Sequence, residues 1–573
     1  MTTPLWKPLA ALAVLVLSIA ATPADNTVPA AATPFPVNIR VDAAKIVGPW
    51  KPVYRFFGAD EPNYATMKNG TKLINELGQL QPGNVYFRAH NLLTSGDGTP
   101  AHKWGSTNAY TEDKDGNPVY SWKILDQIFD TYHAAGIHPY VEIGFMPEAM
   151  STHPEPYQHH FDTGGSIYTG WAYPPKDYAK WGELVYQWAK HCVERYGLAE
   201  VNQWYWEVWN ESNTQRNGVG YWSGSVPDYH KLYDYAAAGV RRAIPTARVG
   251  GADSAGNGGA WSKQFIEHCL TGTNYATGQV GSPLDFFSFH AKGHTPSMVQ
   301  GHAHMGIDGQ LQAIDGGFDI AASYPQTKSA PIVIGESDPD GCAACNNEAL
   351  KAYRNGSVYA TYTAACISRE LELADRHGVN FEGALTWAFE FENEPYFFGE
   401  RVLASNGIDL PILDVFRMYA KMDGQRVAST SDHMVGLDTI LRSGVRDDPD
   451  VGVLSTLGKN KLCVMVWHYH DDIVPGPDAT VSLDLAGLPK DAKQVKITHY
   501  RIDDSHSNAY TAWQRMGSPA TPTTEQYAQM EKSGHLEELA PAAAAPAPVN
   551  GELKLPAFNL PRESVSLVVV EWQ

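Results

Sequence analysis

The segment Trp204-Tyr-Trp-Glu-Val-Trp209 combines aromatic and apolar residues with a single glutamate, and Asn210-Glu211 follows it directly. Short apolar runs of this kind are typical of buried strands. Further along the chain, Tyr229–Ala243 spaces its apolar residues with the period of an amphipathic helix. A buried strand followed by such a helix predicts one βα unit of a parallel sheet.

The same alternation continues from about residue 50 to about residue 425. Eight segments have the character of buried strands: Tyr54–Gly58, Asn84–Arg88, His138–Gly144, Trp204–Trp209, Arg248–Gly251, Asp285–His290, Pro331–Gly335 and Ala384–Phe389. Amphipathic stretches lie between or after them: Trp122–Ala135, Tyr178–Tyr196, Tyr229–Ala243, Val358–His377 and Ile412–Met422. Eight such units predict an α/β fold, a (β/α)8 TIM barrel over residues 49–426. An open doubly wound sheet is the alternative, but no glycine-rich dinucleotide motif follows the first strand.

The sequence beyond the barrel has strand-like segments without comparably long helical runs. These segments are Asp438–Val445, Lys461–His468, Thr480–Leu485, Gln494–Tyr500 and Ser564–Val570. They predict a C-terminal antiparallel β-sandwich as an accessory domain, residues 427–573. The Ala/Pro tract Pro541–Val549 is interpreted as a solvated loop inside it. An isolated strand candidate, Val37–Val41 within the N-terminal segment 37–48, could join the same domain.

The N-terminus predicts export. Lys7 precedes an apolar run from Leu9 to Ala21, and small residues and Pro23 follow. This pattern indicates a secretory signal peptide, residues 1–24, and a periplasmic or secreted location. The alternative is a membrane anchor, but the run falls short of the roughly 20 residues that a spanning helix needs.

Composition narrows the choice of partners. The chain has 43 Lys+Arg against 63 Asp+Glu, a net charge of −20. Nucleic-acid and anionic-membrane surfaces are normally bound by basic patches, so neither is an expected partner. Of the six cysteines, Cys342 and Cys345 form a CxxC motif, which could be a redox pair, half a zinc site or a loop disulfide. Without a second CxxC, the loop disulfide is the favoured interpretation.

Acids stand at the carboxyl ends of the predicted strands, where barrels of this type carry their functional groups. Glu211 ends the fourth strand and Glu336 ends the seventh. Glycosidic bond cleavage needs two carboxylates facing each other across a sugar. Taken singly, Glu211 could be a surface acid and Glu336 a helix-capping one. Together with Asn210, they predict a glycosidase site.

Longer motifs carry a family resemblance. Trp206-Glu-Val-Trp-Asn210-Glu211-Ser-Asn213 resembles the WxxxNEPN strand of retaining glycosidase barrels. Further matching stretches are Ile39–Asp42, Arg88–Leu93, Val141–Pro147, Pro174–Tyr178, Asp285–His290, Ile502–Asp503, His506–Asn508, Trp513 and Met516–Pro519. With these motifs the chain resembles glycoside hydrolase family 39, the β-xylosidases, over nearly everything after the signal peptide.

The resemblance implies a role for each matching residue. Glu211 corresponds to the general acid/base and Glu336 to the nucleophile. The pocket for the non-reducing sugar is implied to include His90, Phe145, Asn210, His290, Trp387 and Glu394. Asn210 can bond the sugar 2-hydroxyl, a contact that strengthens in the transition state. His90 and His290 could also be structural barrel histidines.

Three departures from the family pattern stand out. Lys292 occupies the place of a tyrosine that commonly bonds the nucleophile, so we predict that its charge lowers the pKa of Glu336. The segment Ser337–Cys342 differs from the usual sequence after the nucleophile. Pro395 replaces an acid that often follows Glu394. These changes bear most directly on substrate preference.

The resemblance implies a retaining exo-acting β-D-xylosidase that releases xylose from xylooligosaccharides. The alternatives are another sugar specificity, such as that of an α-L-iduronidase or arabinosidase, and a non-catalytic carbohydrate-binding protein. Neither a metal nor an organic cofactor is expected, because both catalytic roles belong to carboxylates. A monomer is expected, since tetrameric family members extend past the last sandwich strand and this chain stops at Glu571-Trp-Gln573.

Overall fold

A computed structural model describes residues 33–155, 170–214, 220–344, 351–490 and 492–573. The predicted signal peptide, residues 1–24, lies outside the described residues. In the described part of the chain, no helix has the length and apolar character needed to cross a bilayer.

Eight parallel strands close into a barrel, which confirms the predicted fold class. The strand before the barrel is β1, Phe35–Pro49, and the barrel strands are β2 Phe56–Ala59, β3 Val85–Ala89, β4 Ile137–Ile143, β5 Tyr205–Val208, β6 Arg248–Ser254, β7 Phe287–Lys292, β8 Ile332–Asp338 and β9 Phe381–Thr386. Each strand pairs in parallel with the next in the chain, and β9 pairs with β2 to complete the circle. Each observed strand overlaps one of the eight predicted segments.

Helices surround the barrel. The main ones are α1 Lys68–Leu80, α2 Lys123–Ala134, α3 Tyr178–Tyr196, α4 Val226–Ala243, α5 Ala260–Thr271, α6 Ile307–Ala322, α7 Ser357–His377 and α8 Pro411–Ala420. Local sequence fixes where several of them begin. The Asp177 side chain accepts hydrogen bonds from the first amides of α3, and Ser225 with Asp228 forms a capping box on α4. Such caps satisfy amides that have no partner within the helix.

Aromatic rings fill part of the barrel interior. Phe56 stacks on Tyr86 with ring centroids 4.9 Å apart, and Tyr140 stacks on Tyr205 at 5.2 Å. Phe286 meets Tyr205 edge to face at 5.0 Å. Because apolar rings take up this space, the polar side chains of the strands gather near the carboxyl ends, where barrel enzymes carry their active sites.

The C-terminal strands form one ten-stranded mixed sheet with β1. Its strands are β10 Gln425–Ser431, β11 Asp450–Leu457, β12 Lys461–Tyr469, β13 Ala479–Ala486, β14 Lys496–Ile502, β15 Glu537–Ala544, β16 Leu553–Lys554, β17 Phe558–Leu560 and β18 Ser564–Glu571. Most pairs are antiparallel, as expected. The exception is β1, which lies between β10 and β13 and runs parallel to β13. The N-terminal segment thus lies in the accessory sheet.

One sequence interpretation in this domain was wrong, and a second was wrong in part. Asp438–Val445 was predicted as a strand, but Leu437–Ser443 forms a helix in which Leu437 and Ile440 are buried on one face. Their spacing of three residues fits a helical turn, not the two-residue period of a strand. Pro541–Val549 was predicted as a loop, but its first residues belong to the edge strand β15. Proline is tolerated at a sheet edge because its missing N–H leaves no ladder bond unmade there.

The remaining elements are short. They are the strands Tyr110–Glu112, Pro118–Tyr120, Ser297–Val299, His302–His304, Ala404–Ser405 and Ile408–Asp409, and the helices Pro62–Thr66, Gly170–Ala172, Leu198–Val201, Pro325–Ser329, Lys351–Asn355, Leu437–Ser443, Ala509–Arg515 and Thr524–Ser533. Cys192, Cys269, Cys366 and Cys463 are buried free thiols. Cys342 is disulfide-bonded, and Cys345 lies outside the described residues.

Candidate active site

The two predicted catalytic carboxylates reach the mouth of the barrel. Glu211 follows β5 with a left-handed backbone (φ 44°), and its amide donates to the carbonyl of Asp253 at 2.9 Å. Glu336 lies within β8. Their side chains are 20% and 10% exposed. Both carboxyl groups are therefore held by the barrel yet remain accessible to a ligand.

Glu336 is surrounded by positively charged groups. Its Oε2 lies 2.7 Å from Lys292 Nζ, and its Oε1 lies 3.5 Å from Arg88 Nη1 and 3.8 Å from His290 Nδ1. Burial by itself raises the pKa of Glu336, but the charges of His290 and Lys292 outweigh it and hold the pKa well below its usual range. This carboxylate is ionised at neutral pH.

His290 connects the two carboxylates. Its Nδ1 lies 2.9 Å from Glu211 Oε1, and its Nε2 lies 2.8 Å from Asp253 Oδ2. Burial lowers the pKa of His290, but the charges of Asp253 and Glu336 outweigh this effect and raise it to about 10. His290 is therefore an imidazolium at neutral pH and donates from both ring nitrogens.

The contacts with His290 Nδ1 also limit how far apart Glu211 and Glu336 can lie. Glu211 Oε1 and Glu336 Oε1 lie 2.9 and 3.8 Å from the same Nδ1 atom. These two oxygens are therefore no more than about 6.7 Å apart, the sum of the two distances. Retaining glycosidases place their carboxyl groups about 5 to 5.5 Å apart and inverting ones roughly 6.5 to 9.5 Å. The bound on this pair of oxygens is compatible with the retaining separation.

Arg88 organises the floor of the site. Its side chain is fully buried, and its Nε donates to Glu207 Oε2 at 2.7 Å. Nη2 donates to Asn210 Oδ1 at 3.2 Å, pairs with Glu142 at 2.8 Å and also bonds Asp253. A planar guanidinium with five N–H donors can hold several acceptors in fixed positions. The amide of Asn210 is thus oriented from below by a buried cation.

Rings form one wall of the mouth. The His90 ring lies 4.4 Å from Trp387 and 5.5 Å from Phe145, measured between centroids. Trp387 also covers the Arg88 guanidinium at 5.1 Å. His90 is held through Nδ1, which lies 2.6 Å from Glu142 Oε2. In this wall, Trp387 and Phe145 offer apolar surface to a sugar face, and His90 offers a polar ring edge.

Lys292 is fixed by a second acid. Besides Glu336, its Nζ bonds Asp338, whose other oxygen accepts from the backbone amide of Trp387 at 3.0 Å. Arg401 Nη2 approaches Asp338 at 3.3 Å. Asp338 therefore connects the lysine beside the nucleophile with the tryptophan of the ring wall.

Glu394 stands in the segment between β9 and the short strand Ala404–Ser405. It lines a small cavity with Phe391, Phe398 and Glu400, and its backbone carbonyl accepts from Asn406 at 2.8 Å. Burial and the charge of Glu400 raise the pKa of the Glu394 carboxyl. Within the described ranges, no hydrogen bond or ion pair joins it to Glu211 or Glu336.

Four further residues near the mouth were absent from the sequence prediction. Asp60 follows β2 and Asp253 lies near the end of β6, so both stand at the carboxyl ends of barrel strands. Tyr221 stacks on Phe145 at 5.8 Å, and Lys103 bonds Asp60. Extending the strand-end rule to all eight strands would have found the two acids. No local signal identified Lys103 or Tyr221, because the fold brings them in from loops.

A closed eight-stranded barrel with a carboxylate pair at its mouth is the architecture of a glycoside hydrolase, and comparison with known proteins agrees. The model of the family described as "Glycosyl hydrolases family 39" matches residues 37–553. The chain belongs to this family.

Relatives among the curated proteins include β-xylosidases and α-L-iduronidases. A β-xylosidase of Geobacillus stearothermophilus is 34% identical over 460 residues, which are 78% of this chain and 80% of the relative. The human α-L-iduronidase is 26% identical over 408 residues, 67% of this chain and 59% of the relative. Both activities therefore occur among proteins similar to this chain.

Solved structures share the fold. The family 39 enzyme of Xanthomonas axonopodis pv. citri superposes with a TM-score of 0.71 at 20% identity, covering 96% of this chain and 99% of that one. A monomeric β-xylosidase from Caulobacter crescentus CB15 gives 0.69 at 21% identity, covering 93% and 99%. A bacterial orthologue of human α-L-iduronidase gives 0.73 at 19% identity, covering 93% and 84%.

Proposed function

We propose that the protein is a retaining β-D-xylosidase that releases xylose from the non-reducing ends of xylooligosaccharides. The observation that carries the retaining mechanism is the sharing of His290 Nδ1 by Glu211 and Glu336, which keeps the pair close. A pair held close in this way fits a direct attack by one carboxylate better than an attack by an intervening water molecule, for which inverting enzymes leave more room.

In the first step, ionised Glu336 attacks the anomeric carbon while Glu211 gives a proton to the departing oxygen. Lys292 and His290 keep Glu336 ionised, so the nucleophile is ready before substrate arrives. Asn210, oriented by Arg88, bonds the sugar 2-hydroxyl as positive charge develops on the ring.

In the second step, Glu211 removes a proton from water, and the resulting hydroxide attacks the anomeric carbon of the glycosyl-enzyme. Glu336 leaves as a carboxylate, and the lysine and imidazolium beside it stabilise the charge that returns to it. Two displacements at one carbon give net retention of configuration.

The sugar assignment rests on relatives and on the site's charge. The 34%-identical relative named a β-xylosidase is matched over most of both chains. The second candidate is α-L-iduronidase activity, favoured by a cation, Lys292, at the mouth. This lysine is already paired with Glu336 and Asp338, which favours a neutral sugar.

Proton NMR of products from a panel of small glycosides tests the proposal. We expect fastest release from β-D-xylosides, with β-xylose as the first product seen. First appearance of α-xylose would refute retention, and exclusive cleavage of α-L-iduronides would establish the second candidate. A chain without any glycosidase activity would support the non-catalytic alternative.

Export and a monomeric state are also proposed. Export rests on the sequence of residues 1–24, and N-terminal sequencing of protein recovered from the periplasm or medium tests it. The structural relative from Caulobacter is described as a monomeric β-xylosidase. Analytical ultracentrifugation should give the mass of one chain, and a larger mass would contradict the monomer.

A further inference from the structure

Asp338 ends β8 two residues after Glu336, and the two-step mechanism gives it no role. Its side chain is fully buried. Residues two apart on a strand point to the same side of the sheet. On the neighbouring strand β7, Lys292 is the residue paired with Asp338 in the strand register. The ends of these two strands therefore place two carboxylates and one ammonium side by side.

The ammonium of Lys292 is shared by the two acids. Its Nζ lies 2.7 Å from Glu336 Oε2 and also bonds Asp338 Oδ2. An ammonium has three N–H donors, so it can bond both carboxylates at once. The negative charge of Asp338 opposes the positive charge of Lys292. The lysine therefore stabilises the Glu336 carboxylate less than an unshared lysine at the same distance would.

Asp338 is itself held at both of its carboxylate oxygens. Oδ1 accepts from the backbone amide of Trp387 at 3.0 Å, and Arg401 Nη2 donates to Oδ2 at 3.3 Å. The same Arg401 donates to the Trp387 carbonyl at 3.2 Å and, through Nη1, to Asp340 Oδ1 at 2.9 Å. Because the carboxylate of Asp338 cannot turn without losing one of these bonds, it gives Lys292 a fixed partner.

The charge of Glu336 changes in opposite directions in the two proposed steps. The carboxylate loses its charge when it bonds the anomeric carbon, and it regains the charge when water releases the sugar. Positive charge beside Glu336 therefore slows the first step and speeds the second. A change in how Lys292 is shared should alter the two rates in opposite directions, whereas a displaced nucleophile should lower both.

On the basis of the proposed function, we infer that Asp338 is a positioning residue that sets how strongly Lys292 stabilises the Glu336 carboxylate. Asp338 holds the ammonium beside the nucleophile and competes with Glu336 for its charge. The lysine then helps to keep Glu336 ionised without binding it so strongly that attack on the anomeric carbon is slowed.

A 2-deoxy-2-fluoro-β-xyloside with a good leaving group measures the two steps separately in the variant D338N. Inactivation reports the first step, in which Glu336 bonds the anomeric carbon and the leaving group departs. Recovery of activity reports the second step, in which water attacks that carbon and frees Glu336. We expect inactivation to slow by about threefold or more and recovery to speed up by a similar factor, because Lys292 then acts on Glu336 alone.

Two further variants serve as controls. D340N removes another buried carboxylate that contacts Arg401 but that, in the ranges the structure describes, has no ion pair with Lys292, so both rate constants should stay close to those of the wild type. The double variant K292M/D338N removes both charges, so recovery should be slower than in D338N, in the direction of the wild-type rate.

Slower inactivation together with slower recovery in D338N would indicate a merely structural role and would overturn the inference. Unchanged rates in D338N would overturn it as well. Circular dichroism identifies unfolded protein, in which case D338S takes the place of D338N. The single variant K292M must also slow recovery, because the charge that returns to Glu336 has then lost the ammonium beside it.

Labelling of the wild type separates failure of this inference from failure of the proposed function. If the fluoroxyloside labels Glu336 but D338N changes neither rate, or lowers both, only the role of Asp338 is refuted. If the wild type is labelled at Glu211 or at no residue, the proposed nucleophile is wrong and the role of Asp338 fails with it. Should the wild type prefer another sugar, the 2-fluoro glycoside of that sugar is used, with the same expected changes.

Discussion

The two carboxylates face different surroundings across the same mouth. Glu336 has Lys292, Arg88, His90 and His290 within 3.8 Å, and its side chain is 10% exposed. Glu211 is 20% exposed, and in the described part of the chain its one charged side-chain neighbour within 4.0 Å is His290. A nucleophile must be ionised at working pH, whereas an acid/base must lose and regain a proton. The cationic surroundings of Glu336 therefore fit the proposed nucleophile, and the less charged surroundings of Glu211 fit the proposed acid/base.

The largest expected effect comes from removing the nucleophile. E336A should lower kcat by about 10⁴-fold or more, because no covalent intermediate can form. Turnover of nitrophenyl xyloside measures the loss. Azide should restore part of the activity by attacking the anomeric carbon from the vacated side, giving the α-xylosyl azide. Formation of the β-azide would assign Glu336 to the other role.

A smaller and substrate-dependent loss is expected for E211A. General acid catalysis contributes about 10² to 10⁴-fold, and departing groups that need protonation benefit most. Hydrolysis of xylobiose should therefore fall far more than the first step with dinitrophenyl xyloside. Azide should now give the β-xylosyl azide. Equal losses with both leaving groups would contradict the acid role.

Lys292 is expected to lower the pKa of the nucleophile through its charge. K292M removes a cation 2.7 Å from Glu336, so the pKa of this carboxyl should rise. The acid limb of the kcat/KM profile then moves to higher pH, by about one unit or more, because Glu336 must be ionised to attack. K292R keeps the charge and should leave the limb in place. An unmoved limb in K292M would show that Lys292 does not set this ionisation.

The smallest effect on activity is expected far from the mouth. Leu483 on β13 is 1% exposed in the apolar core of the accessory sheet. L483A should cost about 2 to 5 kcal/mol of unfolding free energy in that domain. At temperatures where the protein stays folded, kcat/KM should change by no more than about twofold. A large loss of kcat/KM in the folded protein would show that the accessory sheet influences the active site.

Much of the fold follows from sequence periodicity. Eight apolar runs alternating with amphipathic stretches predicted the barrel, because each buried strand needs a helix to cover it. The segment Asp438–Val445 was misjudged because it begins after Leu437 and so omits one of the two apolar residues whose three-residue spacing indicates a helical turn. Its neighbour β11, Asp450–Leu457, was not predicted at all, although seven of its eight residues are buried.

The site was predictable in part. Glu211, Glu336, His90, His290 and Asn210 stand at strand ends, and the structure brings them together. Lys292 was expected to lower the pKa of Glu336, and it lies in contact with that carboxylate. Lys103 could not be found, because a loop lysine becomes part of a site only when the fold brings it against Asp60.

Trapping the intermediate tests the central claim most directly. A 2-deoxy-2-fluoro-β-xyloside with a good leaving group slows the second step, so a glycosyl-enzyme should accumulate. Mass spectrometry of a protease digest should then locate one fluoroxylosyl group on the peptide that contains Glu336, at that residue. Labelling of Glu211, or turnover without any labelled peptide, would contradict the assignment.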